Sequence, residues 1–168
     1  MAESTDGDGV ERTADGHHIV VNGRKWRASD VEIPDRLRAE LVSELMRARR
    51  LVGSRGDDAR PMVDDAKVAL GERGEPWWEE PTEQGRRDRL AATVRALLRH
   101  RDGTTICPSD AARVVGGQRW RDVVPVAREV AHELALTEVV VVQQKGEAVD
   151  VRSARGPVRI APGPALRR

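Results

Sequence analysis

Residues 105–151 read TICPSDAARVVGGQRWRDVVPVAREVAHELALTEVVVVQQKGEAVDV, and this stretch decides the fold. Pro108-Ser109-Asp110 opens a short helix that runs to about Val115, capped by Ser109 or the residue before it, with Ala111, Ala112 and Val115 inward. Gly116-Gly117 forces a turn. A longer helix follows from Arg121 to Leu136, with Val123, Val124, Ala127, Val130, Ala131 and Leu134 as its apolar stripe. Pro125 is expected within the first turn, where a missing N–H removes no helical bond. The valine run of Glu138–Gln143, the Gln144-Lys145-Gly146-Glu147 loop and Ala148–Val151 then read as strand, tight turn, strand.

On the N-terminal side, Arg86–His100 is a strong helix with Leu90, Val94, Leu97 and Leu98 on one face and Arg87, Asp88, Arg95 and Arg99 on the other, and Thr104–Cys107 is β-prone. Helix, short strand, short helix, glycine turn, helix, hairpin is the layout of a winged helix-turn-helix, with the hairpin as wing. The expected domain spans 86–161, followed by a flexible basic tail at 162–168.

Further upstream, Asn22-Gly23 between two strand-like runs predicts a β-hairpin over His17–Ser29. Ile19 and Val21 are expected on its buried face, with Trp26 as a further candidate. Pro34 marks a helix start, and Leu37, Leu41, Leu45, Ala48 and Val52 recur at helical spacing, with Glu40, Glu44 and Arg47 assigned to the solvent side. A second helix runs from about Pro61 to Leu70, stopped by Gly71. These elements define a hairpin-plus-helices module at 17–71. Residues 72–85 are rich in Pro, Gly and Glu and read as a linker, in which Trp77 and Trp78 are expected to anchor one module on the other. Residues 1–16, acidic and with few apolar side chains, are expected to be disordered. The fold class is therefore α+β, a small hairpin-plus-helices module followed by the winged helix.

Composition bounds the function. Leu, Ile, Val and Phe make 37 of 168 residues, just above the roughly 20% below which chains rarely fold. No apolar run approaches the ~20 residues of a membrane span, the N-terminus lacks a signal-peptide core, and a single cysteine, Cys107, fits a reducing compartment; a cytoplasmic location with no membrane partner is expected. Residues 1–81 carry 13 basic and 18 acidic side chains, a net of −5, while residues 82–168 carry 16 and 10, a net of +6. A basic second half raises the odds of an anionic partner.

The stretch 105–135, with Gln144-Lys145-Gly146 and Ala154-Arg155-Gly156-Pro157, resembles a bacterial domain-of-unknown-function family, number thirty-two fifty-three, regarded as winged-helix-like. VVNGRKWRASD and DAKVALGERGEPWW resemble a short module found alone or joined to that domain, in proteins sometimes called "biopolymer transporter Tol". The resemblance implies the fold and brings no activity or catalytic residue, and nothing in the sequence supports transport.

Two functions remain open. In the first, the long helix enters the major groove of duplex DNA: Arg121, Arg128 and His132 line its outer stripe, Arg119 flanks the turn, and Lys145, Arg152, Arg155 and Arg159 follow the wing. In the second, the same face binds a protein, which suits the acidic neighbours Asp122, Glu129 and Glu133. An enzyme is not expected. There is no phosphate-binding glycine loop and no dinucleotide fingerprint, and His17, His18, His100, Cys107 and His132 are too scattered for a metal site. A Cys107–His132 nucleophile pair is weaker than the reading of Cys107 as a small space-filler. No cofactor is expected.

Overall fold

The structure, a computed structural model, describes residues 4–5 and 10–168. It is α+β, with a small antiparallel sheet at each end of the chain and helices between. The first sheet has strand order β1 (Ser4–Thr5), β2 (Glu11–Arg12), β3 (His18–Val21), β4 (Arg24–Arg27). Five helices follow among the described residues: α1 (Asp35–Arg55), α2 (Arg60–Leu70), α3 (Glu83–His100), α4 (Pro108–Gly116) and α5 (Trp120–Leu136). The second sheet comprises β5 (Val140–Gln144), β6 (Glu147–Ala148) and β7 (Arg159–Pro162), with β5 in the centre. The acidic segment expected at 1–16 lies partly outside the described residues; of its described part, Glu11–Arg12 pairs with β3.

The Asn22-Gly23 turn forms as the sequence predicts, with φ of 52° and 76°. Both central residues of a type I′ turn need positive φ, which these two residue types accept at least cost. The face assignment of the hairpin does not hold. Val21 and Trp26 are 41% and 40% exposed, because α1 and α2 pack on each other and on α3 and not under the ribbon. The hairpin is instead held at its base, where the Ala28 N–H donates to the His17 carbonyl and the Asp30 N–H to the Leu70 carbonyl. The α1 stripe is as expected for Leu37, Leu41, Leu45 and Ala48, all buried. Glu44, assigned to solvent, is fully buried and forms a paired hydrogen bond with Arg47, both contacts 2.8 Å.

In the second half α3 packs on α1, α2, α4 and α5. Ile106, just before α4, bridges Ile160 of β7 through two backbone bonds of 2.9 and 2.8 Å. β7 pairs with β5, which turns into β6 through Lys145 and Gly146 at φ of 51° and 79°. α5 starts at Trp120, one residue earlier than expected, so Pro125 falls inside the helix and not within its first turn. Its ring leaves the Arg121 carbonyl without the usual helical donor, at an exposed position where water can serve.

One buried apolar cluster runs from Ile33 and Leu37 through Leu90, Leu97, Ile106, Val130 and Val142 to Ile160 and Leu166. The segments 17–71 and 86–161 both contribute to it. Residues 162–168 do not behave as a flexible tail. Leu166 is 6% exposed, the Gly163 and Ala165 N–H groups donate to the Val139 and Glu138 carbonyls, and the Arg167 carbonyl accepts from Arg99 Nε at 2.7 Å. A buried leucine and the free carbonyls of the α5–β5 connection give this segment a place to dock.

Candidate nucleic-acid interface

Helix α4, the 3-10 turn Gly117–Arg119 and α5 form a tightly packed pair of helices. Trp120 opens α5 half-buried, packed against the apolar cluster. Its ring carries a guanidinium on either sequence side: Arg113 from α4 at 4.2 Å from the ring centroid and Arg121 at 4.5 Å. Such contacts hold cations in place on an aromatic face. Arg119 is 80% exposed, with its Nε 3.5 Å from Asp122. Two arginines therefore flank one tryptophan, with Arg119 beside it in sequence, at the positive end of a 17-residue helix.

The remaining predicted contacts fall into two groups. Lys145, Arg152 and Arg155 are exposed on the β5–β6 turn and the loop that leads to β7. Arg128, His132 and Arg159 are engaged within the protein. Arg128 reaches back to the carbonyls of Gly156, Val151 and Ala154 at 3.2, 3.4 and 3.1 Å, so it clamps the loop and does not project beside Arg121. His132 is 15% exposed, with Nδ1 3.6 Å from Asp150. Arg159 donates to the hydroxyl and the carbonyl of Thr105, both at 2.9 Å. The acids on α5 are also partnered: Glu129 and Glu133 both meet Arg87 of α3, at 2.5 and 3.0 Å. The hydrogen bond that Arg87 donates to Glu129 raises the Arg87 pKa above its ordinary value.

Much of the basic surplus of the second half faces the acidic first half. Arg89 meets Asp30 at 2.9 Å, Arg95 and Arg99 share Asp65 at 2.7 and 2.5 Å, and Arg101 meets Glu40 at 2.9 Å. Arg89 also donates to the Ala69 carbonyl at the end of α2; burial pushes its pKa down while Asp30 opposes the shift. Asp65 and Glu44 escape a reading that sends charge to solvent. Their signal is positional: Asp65 stands three after Met62 and four before Ala69, and Glu44 three after Leu41 and four before Ala48, all core positions.

Trp77 and Trp78 pack on the base of the hairpin. Trp77 Nε1 donates to the Ala28 carbonyl at 3.0 Å, and His17 stacks on Trp78 with centroids 4.1 Å apart. Cys107 caps α4, its N–H bonded to Asp110 at 3.0 Å. Among the described residues no group of His, Cys, Asp or Glu side chains is arranged to hold a metal ion, and no helix is long and apolar enough to cross a membrane.

Residues 87–162 match the family described as Protein of unknown function (DUF3253). The match begins within α3 and ends with β7, so it takes in α4, α5 and the whole second sheet. No curated protein matches the chain at a significant level.

Proposed function

We propose that residues 86–161 are a winged helix-turn-helix and that the protein is a non-enzymatic, cytoplasmic binder of duplex DNA. The element order supports the fold: helix α3, the Ile106 bridge, α4, turn, α5, then a β-ribbon whose strand β7 lies between β5 and Ile106. The observation that carries the function is the pair Arg113 and Arg121 on the Trp120 ring at the start of α5, with Arg119, 80% exposed, just before it. Lys145, Arg152 and Arg155 provide a second set of cations on the wing. The footprint is the N-terminal end of α5 plus the wing, since Arg128 and Arg159 are tied to backbone carbonyls and His132 is only 15% exposed. The DUF3253 match covers this unit and assigns it no activity.

The test is fluorescence anisotropy with a labelled duplex over a salt series. Wild-type binding weakens steeply as salt rises, and Arg121→Glu and Arg119→Glu each lower affinity and reduce the salt slope by about 1. Duplex affinity unaltered by both reversals refutes this footprint. A second reading, a protein-binding face, is favoured by the exposed Asp122, Glu129 and Glu133 beside these cations and by Leu136, which is 71% exposed. Nuclease-resistant recovery of one partner in fixed ratio, lost in Leu136→Glu, supports it.

A further inference from the structure

Of the four tryptophans, Trp26 is the exposed one. It lies on β4, the edge strand of the first sheet, and is 40% exposed. The strand reads Arg24-Lys25-Trp26-Arg27, with the first three residues exposed and no acid among the four. The Arg24 guanidinium lies 4.3 Å from the indole centroid, and the Lys67 ammonium of α2 approaches it to 5.5 Å. Of the acids that act on Lys67, Asp64 pairs with Arg73 at 2.7 Å and Glu72 accepts from the Ser29 hydroxyl at 2.9 Å. Desolvation, and after it the charge of Arg73, push the Lys67 pKa below its ordinary value, with Glu72 and Asp64 opposing.

We propose that the β3–β4 ribbon is a binding site for single-stranded nucleic acid, with Trp26 and the Arg24 plane stacking a base and Lys25 and Lys67 facing phosphates, while Arg27 is held by the Gly74 carbonyl at 2.8 Å. A flat aromatic surface ringed by cations is the chemistry by which unpaired strands are held, since every base has a face to stack and every linkage a charge to neutralise. Charge complementarity selects a polyanion, and the exposed indole selects one that carries rings. This site is separate from the α5 cluster and does not depend on the duplex reading.

The experiment uses the full chain and a labelled oligothymidylate of about 12 nucleotides, within the span such sites cover. Trp26→Leu weakens binding by about tenfold or more, the size expected from loss of one stacked base. Lys25→Glu weakens it and flattens the salt dependence. Both positions are exposed, and unchanged circular dichroism shows that the fold is retained. Arg121→Glu leaves oligothymidylate binding intact, so failure of the duplex reading and failure of this one are separable. Binding that is indifferent to Trp26→Leu overturns the proposal. So does polyglutamate that binds as tightly as the oligonucleotide with the same dependence on Trp26, which marks the ribbon as an edge for acidic peptides.

Discussion

Asp65→Ala tests the seam between the two halves. Asp65 is 6% exposed and accepts from Arg95 at 3.1, 3.1 and 2.7 Å and from Arg99 at 2.5 Å. Opposite charges about 4 Å apart attract by ~4 kcal/mol at an effective dielectric of ~20, and desolvation of the same groups offsets most of that gain. The intact network therefore contributes little net stability, whereas breaking it is costly. Without the carboxylate, the Arg99 side chain, 3% exposed, keeps its charge and only the Arg167 carbonyl as acceptor. Removing one partner from such a pair costs about 3–5 kcal/mol, a large part of the ~5–15 kcal/mol that holds an ordinary domain. Urea denaturation at neutral pH measures the loss. The double variant Asp65→Leu/Arg99→Met recovers most of it, because a volume-matched apolar pair leaves no charge unpaired. A loss under about 1 kcal/mol in Asp65→Ala, or no recovery in the double variant, refutes the argument that an uncompensated Arg99 is the source of the cost.

Two further outcomes follow from local geometry. The Glu75 carboxylate covers the start of α3, accepting from the Thr82 N–H at 3.0 Å and from the Thr82 hydroxyl, and a Cβ on Gly85 would lie 2.1 Å from its carboxyl carbon. Gly85→Ala therefore stabilises Glu75→Ala by about 1 kcal/mol, the helix preference of alanine, and the wild type by clearly less, because there Glu75 must swing away and lose its Thr82 contacts; equal gains in the two backgrounds refute the contact. His18 has a pKa lowered first by burial and then by Lys25, with Asp15 opposing and His17 and Arg27 adding repulsion, and its buried Nδ1 finds no hydrogen-bond partner among the described residues. The unfolded chain then binds a proton that the folded one resists, so stability falls as pH drops from the ordinary histidine value of about 6.5 through the lower folded value. Urea midpoints measured at pH steps across that window decline in the wild type and stay flatter in His18→Gln; parallel declines count against His18 as the cause.

The sequence carries the elements better than their environments. Leucine spacing identifies α1 and its stripe because a helix that buries one face must repeat near 3.6 residues. Asn22-Gly23 identifies the hairpin because few residues tolerate its turn. Alternation along that hairpin shows that Ile19, Val21 and Trp26 share a face, but it does not reveal whether anything covers the face, and here Trp26 remains open. Helical spacing puts Arg121 and Arg128 on one stripe, yet the Arg128 side chain is long enough to turn toward carbonyls that lie 23 to 28 residues away in sequence. Arg99 reads as a solvated charge because its burial depends on Asp65, and a partner 34 residues away leaves no local trace. At the candidate interface, the position of α5 and the turn is legible; which arginines are free is a tertiary property.

The central place of β5 has a consequence for synthesis. Val140 and Val142 are each 2% exposed because their face packs into the apolar cluster, while β7, beginning at Arg159, covers one edge of their strand. A ribosome makes four consecutive valines well before it makes the strand that shields them. In that interval the nascent protein shows an uncharged β-prone run with an open edge, the kind of segment that seeds aggregation. Arg128, by holding the 151–156 loop on α5, keeps β7 close to the edge it must cover.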